Sequence, residues 1–173
     1  MPQYRRARIS GGSFFFTVVT ERRQRLLTEL QVRWALRQAI QAVRQKRPFQ
    51  IEGWVLLPDH LHAIWTLPSG DDDFATRWRL IKGRVTCQLG EDFRNPAVMT
   101  ERRRTKGHGS LWRYWERWLR DEDDMRRHLD YLHFNPVKHG LARSVVDWQW
   151  SSFHRHVASG AYPADWGGEG RAG

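Results

Sequence analysis

The sequence predicts a single α+β domain in which an antiparallel sheet carries helices. Segments rich in aromatic and β-branched residues alternate with segments whose apolar residues recur every three or four positions. With 173 residues, 40% of them apolar, and ten tryptophans, the chain is long enough to close one substantial core. Cys87 is the only cysteine, so neither an internal disulfide nor a thiolate-rich zinc site is expected.

The chain begins with a strand and a long helix. SFFFTVVT, residues 13–20, is a nearly continuous apolar run of the kind that a central strand shows. Residues 28–46 then predict an amphipathic helix, which Pro48 stops. The apolar residues of this helix recur at near-helical spacing, with Arg and Gln between them: Leu30, Trp34, Ile40 and Val43.

Two further strands and a second helix follow. FQIEGWVLLP and HLHAIWTLP predict strands joined at Pro58 and Asp59, a pair that suits a tight hairpin turn. The aspartates of GDDDF suit the N-cap of a helix that continues through RWRLIKGRVTCQL. One face of that helix carries its apolar residues: Phe74, Trp78, Ile81 and Val85.

The second half of the chain predicts a strand and a third helix. Residues 90–110 lose periodicity and include ERRRTKGHG, a basic loop expected to be flexible or ordered only on binding. LWRYWERWLR favours a strand, and acidic residues then start a helix near Asp121 that Pro136 and Gly140 end. Its apolar face consists of Met125, Leu129 and Leu132.

The resulting order, β-α-β-β-α-β with an added helix, predicts a ferredoxin-like split βαβ architecture. In this arrangement an antiparallel sheet carries its helices on one face. WSSFHRH predicts a short last helix, and the Gly-rich end after it is expected to be mobile. We therefore predict one domain over residues 1–157 and a C-terminal tail over residues 158–173.

The charge balance favours a polyanionic partner. The chain has 29 Lys and Arg against 19 Asp and Glu, a net charge of +10 and a pI near 10.7. No apolar run approaches the roughly 18 residues of a membrane-spanning helix. The start, MPQYRRARISGG, lacks the apolar region of a signal peptide. We expect a cytoplasmic protein that binds nucleic acid and no membrane.

Two histidines in the third strand are candidates for metal binding. Because side chains in a strand alternate, His60 and His62 point to one face with Cα atoms roughly 6.6 Å apart, while Leu61 points into the core. Both imidazoles could then reach one ion. Taken alone, such a pair is more often two partly exposed strand histidines without a ligand.

The third helix offers partners for this histidine pair. At about 100° per residue, Tyr131 and Asn135 lie about 40° apart on one helix face, with His128 on the same side. Asn135 could complete a site of two imidazoles and one amide that leaves positions open for phosphate and water. Each residue also has a plain structural explanation, Tyr131 as a half-buried aromatic and Asn135 as a residue before a helix-ending proline.

Four stretches together resemble the REP-associated tyrosine transposases, relatives of the single-tyrosine HUH transposases. They are YRRARISGGSFFFTV, LPDHLHAIW, DYLHFNPVKHG and WSSFHRHVASGAYPADW, and the resemblance extends from Tyr4 to Trp166. Where relatives often have FWEH, this chain has Tyr114, Trp115, Glu116 and Arg117.

The resemblance implies a reaction and a site. It implies that His60, His62 and Asn135 hold a divalent metal, Mg²⁺ or Mn²⁺, and that Tyr131 is the nucleophile. Tyr131 would cleave single-stranded DNA by transesterification, leaving a 5′-phosphotyrosine link and a free 3′-hydroxyl. The step conserves phosphoester energy, so no nucleotide cofactor is expected, and the sequence has no P-loop motif.

The resemblance also implies that the N-terminal arm contacts the foot of a palindromic DNA hairpin. The arm residues in question are Tyr4, Arg5, Arg6, Arg8, Gly11 and Gly12. On the second helix, Arg77, Lys82 and Arg84 lie off the apolar stripe and could follow phosphates.

Two other functions stay open: a hairpin-binding regulator with little or no cleavage, and a basic RNA-binding domain. A monomer is favoured over a dimer, and whether one chain or two build the site is open.

Overall fold

The protein, seen here in a computed structural model, is described over residues 9–90 and 112–167. The four strands are β1 (Ser13–Thr20), β2 (Gln50–Leu56), β3 (His60–Thr66) and β4 (Trp112–Leu119). The four α-helices of this part of the chain are α1 (Leu30–Lys46), α2 (Phe74–Leu89), α3 (Glu122–Lys138) and α4 (Phe153–Ala158). The predicted β-α-β-β-α-β order with an added helix is confirmed, and the basic loop 90–110 lies outside the described residues apart from Gly90.

The four strands form one antiparallel sheet in the order β2-β3-β1-β4. β1 and β2 run parallel with β3 between them, which is the split βαβ arrangement that the sequence predicts. In the register, Thr17 of β1 lies between His62 of β3 and Trp115 of β4. This row places residues from three strands side by side on one face of the sheet.

One face of the sheet packs against α1 and α2. Phe14, Phe16 and Trp65 from the sheet meet Trp78 of α2 in the main core, as the apolar stripe of α2 predicts. The predicted stripe of α1 is partly wrong, because Leu30 and Trp34 are 71% and 57% exposed. The buried face of α1 is instead formed by smaller residues: Val32, Ala35, Leu36, Ala39, Ile40 and Val43.

The opposite face of the sheet packs against α3, so the expectation that all helices share one face is wrong. The stripe of Leu129 and Leu132 closes a second cluster with Phe15 and Ile64 of the sheet. At Gly53 of β2, an added Cβ would lie 2.6 Å from Leu129, so a glycine permits this close approach. Both sheet faces are apolar here, and each requires a helix to exclude water.

α3 continues past the proline that was expected to end it. Pro136 has no N–H to donate to the residue four positions earlier, but the helix keeps its geometry to Lys138. The N–H of His139 donates to the carbonyl of Asn135 at 3.0 Å, and Gly140 follows with a φ of +67°. The last helical turn therefore carries Lys138 beside the face that bears Tyr131 and Asn135.

Residues 158–167 pack onto the domain, so the expectation of a mobile tail is wrong for this stretch. The Tyr162 hydroxyl donates to Asp130 of α3 at 2.5 Å, and the Trp166 ring lies 6.0 Å from that of Phe153. The predicted boundary at 157 thus divides a continuous structure. Within the described ranges, no helix is long and apolar enough to cross a membrane.

Candidate active site

The histidine pair lies on the sheet face that α3 covers. Leu61 points into the opposite core, as predicted, and the alternation of β3 turns His60 and His62 towards α3. The two rings are 5.1 Å apart between centroids and are 5% and 3% exposed by residue. Two imidazoles on one buried face are unusual for an apolar strand and require polar partners.

Each imidazole has a partner at its Nδ1 atom. His60 Nδ1 lies 2.7 Å from a carboxylate oxygen of Asp59, and His62 Nδ1 lies 3.0 Å from Thr17 Oγ1. With Nδ1 donating to the carboxylate, Nε2 of His60 carries the lone pair that a metal requires. Burial raises the pKa of Asp59, but the hydrogen bond and charge of His60 outweigh it, so its net pKa is lowered.

His62 is neutral at physiological pH. Burial, with a smaller contribution from the charge of His60, lowers its pKa from the usual 6.5 to about 3. A neutral imidazole can act as a metal ligand, whereas an imidazolium cannot.

Tyr131 meets His62 of the histidine pair within the same chain. Its ring centroid is 5.4 Å from that of His62 and 6.0 Å from that of Phe15, and the residue is 41% exposed. Lys138, two helical turns further along α3, places its Nζ 4.9 Å from the Tyr131 ring centroid. A phenol that opens to solvent beside a cation and the imidazole of His62 is suited to attack an anionic phosphate.

Asn135 lies one turn beyond Tyr131 and is fully buried. Neither its Oδ1 nor its Nδ2 has a hydrogen-bond partner among the residues that the structure describes. Burying both ends of an amide without a partner is costly, so a ligand for this side chain is expected.

The residues present fit a divalent metal with a mixed nitrogen and oxygen ligand set. In the described part of the chain, no group of three or more His, Cys, Asp or Glu side chains is arranged to hold a metal. A site here would therefore require the Asn135 amide beside the imidazoles of His60 and His62. Such a neutral set would leave coordination positions of a divalent ion open for phosphate oxygens and water.

An open cleft of about 570 Å³ leads to Tyr131. Phe15 and Thr17 of β1 contribute to it, and the Phe15 ring lies 5.0 Å from that of His128. The other side chains lining it come from β4 and α3: Trp115, Glu116, Arg117, Asp124, Arg127, His128 and Tyr131.

The predicted arm contacts with DNA stay predictions. Tyr4, Arg5, Arg6 and Arg8 lie outside the described residues. Gly11, at a φ of +67°, donates its N–H to the Asp71 carbonyl at 2.9 Å. Gly12 directly precedes β1, at the end of the sheet away from His62. It lies five residues, or about 17 Å, along the strand from Thr17.

The expectation that Arg77 follows DNA phosphates is wrong, because this side chain is 1% exposed. Its guanidinium makes two bonds to the Asp71 carboxylate, at 2.6 and 3.0 Å. It also donates to three backbone carbonyls, which belong to Arg47, Pro48 and Asp73. All five donors are thereby used to join two loops. Lys82 and the exposed Arg84 stay predicted contacts, on the sheet face away from Tyr131.

Comparison with known proteins identifies the family. No family model matches the chain. A REP-associated tyrosine transposase of Escherichia coli K12 is 46% identical over 173 residues, which is 98% of this chain and 93% of that protein. The chain belongs to the REP-associated tyrosine transposases. A Haemophilus influenzae protein provisionally assigned to the same family is 38% identical over 170 residues, 97% of this chain and 94% of its own length.

A solved structure of a REP-associated tyrosine transposase bound to a REP hairpin has the same fold. It superposes with a TM-score of 0.78 at 45% identity, over 98% of this chain and 93% of that one. The resemblance that the sequence motifs indicate is therefore confirmed at the level of the family and of the α+β fold.

Four residues around this candidate site were missed from the sequence. Asp59 directly precedes His60, and Lys138 lies seven residues, or about two helical turns, after Tyr131. Both positions in the sequence therefore indicated that these residues lie near the predicted site. His139 lies 5.2 Å from His60 between ring centroids, and partial loss of hydration together with the charge of His60 lowers its pKa. Thr17 could not be found, since its contact with His62 depends on strand register.

Proposed function

We propose that the protein is a metal-dependent endonuclease and strand transferase that acts on single-stranded DNA at REP-type hairpins. Its nucleophile is Tyr131, and the product is a 5′-phosphotyrosine link. The observation that carries the proposal is the position of the Tyr131 ring, 5.4 Å from that of His62 and one helical turn from the unpartnered Asn135 amide.

His60, His62 and Asn135 are the residues that would hold Mg²⁺ or Mn²⁺. The chemistry that the ion supplies when bound is polarisation of the scissile phosphate and stabilisation of charge on its non-bridging oxygens. Asp59 and Thr17 orient the two histidine ligands. Asp59 is hydrogen-bonded to Nδ1 of His60 and Thr17 to Nδ1 of His62, which fixes the orientation of each ring.

Tyr131 supplies the covalent step. Its phenol oxygen forms a bond to phosphorus while the bond from phosphorus to the 3′-oxygen breaks, so one phosphodiester replaces another. The phenol loses a proton and the leaving 3′-oxygen gains one, which leaves the balance of charge unchanged. Lys138, with its Nζ 4.9 Å from the ring centroid, stabilises negative charge that develops on the phenol oxygen and the phosphate.

The hairpin substrate is proposed from charge and from the relative of known structure. That relative, 45% identical to this chain, is bound to a REP hairpin. The net charge of +10 favours binding of a phosphate backbone. The arm from Tyr4 to Gly12 is the proposed reader of the foot of the hairpin.

A cleavage assay tests the proposal. A labelled hairpin with single-stranded flanks should be nicked in Mn²⁺ and should stay intact in EDTA. Tyr131→Phe should bind the hairpin with unchanged affinity and give no nicked product, because only the nucleophilic oxygen is lost. His60→Ala and His62→Ala should also abolish nicking. If the wild-type protein binds the hairpin tightly and never nicks it in Mn²⁺, a regulatory hairpin-binding role replaces this proposal.

A further inference from the structure

β4 contains tryptophans whose environments differ. Trp112 is 2% exposed and belongs to the main core, whereas Trp115 is 52% exposed. The alternation of the strand turns Trp115 to the α3 side of the sheet. A large indole left in water in the middle of a strand loses the burial that normally stabilises it, so a ligand for this surface is worth seeking.

Trp115 lies in the same row of the sheet as the candidate active site. It pairs with Thr17, and Thr17 pairs on its other side with His62. Two strand spacings separate Trp115 from His62, which is about 10 Å. The cleft of about 570 Å³ is lined by Trp115, by Thr17 of the same row and by Tyr131.

The lining of the cleft fits a nucleotide. Phe15 contributes an apolar surface, and two cationic side chains, Arg117 and Arg127, belong to its lining. Arg127 is 64% exposed at its side chain although it also pairs with Asp124 at 3.3 Å. A flat indole face binds a nucleobase by stacking, and guanidinium groups bind the phosphates on either side of it.

We propose that Trp115 forms a stacking subsite for an unpaired base of the DNA strand that neighbours the phosphate attacked by Tyr131. The position of that phosphate rests on the proposed function, but the stacking itself does not require cleavage. The ligand class is a nucleotide of single-stranded DNA. The indole contacts the flat face of the base, so the subsite should discriminate little among the four bases. The subsite therefore holds the flank of the hairpin in line with the tyrosine.

Equilibrium binding in EDTA tests the subsite without cleavage. Affinities are measured for a hairpin with single-stranded flanks and for the same hairpin without flanks, using the wild type, Trp115→Ala, Trp115→Phe and Trp118→Ala. Trp118 is the matched control, because it is a 38% exposed tryptophan of the same strand on the opposite face. A second set of flanked hairpins carries one abasic position at a time.

Trp115→Ala should weaken binding of the flanked hairpin by about 10-fold and leave the unflanked hairpin unchanged. Trp115→Phe should lose less affinity for the flanked hairpin than Trp115→Ala does. Trp118→Ala should bind both hairpins as the wild type does. At one abasic position, the wild type should fall to the affinity of Trp115→Ala, and the two losses should not add.

Equal effects of Trp115→Ala on flanked and unflanked hairpins would overturn the subsite, as would losses that add at every abasic position. A wild type that never nicks DNA, yet shows the Trp115 pattern in binding, would retain the subsite and overturn the proposed function alone.

Discussion

Thr17 and Asp59 act on the two histidines through hydrogen bonds to their Nδ1 atoms. The bonds are 3.0 Å for Thr17 and 2.7 Å for Asp59. Because they fix ring orientation and tautomer, they determine where each Nε2 lone pair points. Loss of either bond should therefore lower the metal affinity of the proposed site without a change at Tyr131.

Thr17→Val should lower Mn²⁺ affinity by about 10-fold, since it keeps the side-chain shape and removes the hydroxyl that holds His62. Calorimetric titration of Mn²⁺ into DNA-free protein measures this. Thr66→Val is the matched control, because Thr66 makes a similar side-chain bond across the same strand pair, to Ser13 at 2.8 Å, away from the site. Equal Mn²⁺ affinities for Thr17→Val and the wild type would refute the orienting role of Thr17.

In the proposed reaction, Lys138 acts on Tyr131 through its charge. Lys138→Met should lower the cleavage rate by about 10-fold, corresponding to a contribution of about 1.4 kcal/mol, while hairpin affinity changes little. Single-turnover cleavage of a labelled flanked hairpin gives the rate, and Lys46→Met, an exposed lysine in the last turn of α1, is the control. A loss confined to binding would show that Lys138 contacts the DNA and does not assist the tyrosine.

The sequence was informative at the residue scale where local geometry suffices. A strand period of two places His60 and His62 together, and the helical repeat does the same for Tyr131 and Asn135. The buried state of Arg77 was not predictable, because its three carbonyl partners and Asp71 meet only when two loops converge.

Among the elements, α3 connects the site to the C-terminal segment. On its rear side His133 is fully buried, with Nε2 2.9 Å from Ser152 Oγ, and that hydroxyl accepts from the N–H of Trp54 in β2 at 2.8 Å. The Tyr162 hydroxyl holds the same helix through Asp130. Residues 151–167 therefore support the helix that presents Tyr131 and Asn135.

The pH dependence of stability tests this support. Burial and the charge of His156 lower the pKa of His133 from 6.5 to about 3. The unfolded chain therefore binds a proton that the folded chain rejects between about pH 6.5 and pH 3, and stability falls as the pH falls through this window. For this group the loss approaches about 1.4 kcal/mol per pH unit.

His133→Gln should flatten the pH dependence of the free energy of unfolding below pH 6.5, as measured by urea denaturation at a series of pH values. His154→Gln, at an exposed position of α4, should leave the wild-type slope unchanged. If His133→Gln retains the full slope, His133 does not titrate as its buried position predicts.

Element boundaries were predictable only approximately from the sequence. Pro136 was expected to end α3, but the carbonyl of Asn135 still receives the N–H of His139, and the helix reaches Lys138. Leu30 and Trp34 were expected to face the core because they are apolar, whereas small residues such as Ala35 and Ala39 do so. Helical spacing alone does not separate an apolar residue on the surface from a small residue in a tight interface.

At the scale of the whole molecule, the sheet divides the protein into two sides. α1 and α2 close the main core on one side, and α3 with β1, β3 and β4 builds the site on the other. The order of strands and helices was predictable from alternating patterns, and the added helix was identified. The sheet face that α3 covers was not predictable, because an apolar stripe on a helix does not indicate which side of a sheet the helix will cover.

The central claim is that Tyr131 becomes covalently joined to DNA on the side of the sheet that α3 covers. The most direct measurement is mass spectrometry of the tryptic peptides after incubation of the protein with a flanked hairpin and Mn²⁺. We predict a nucleotide adduct on the peptide that contains Tyr131, and none in EDTA or in Tyr131→Phe. An adduct that persists in Tyr131→Phe, or that maps to another residue of the wild type, would contradict the account.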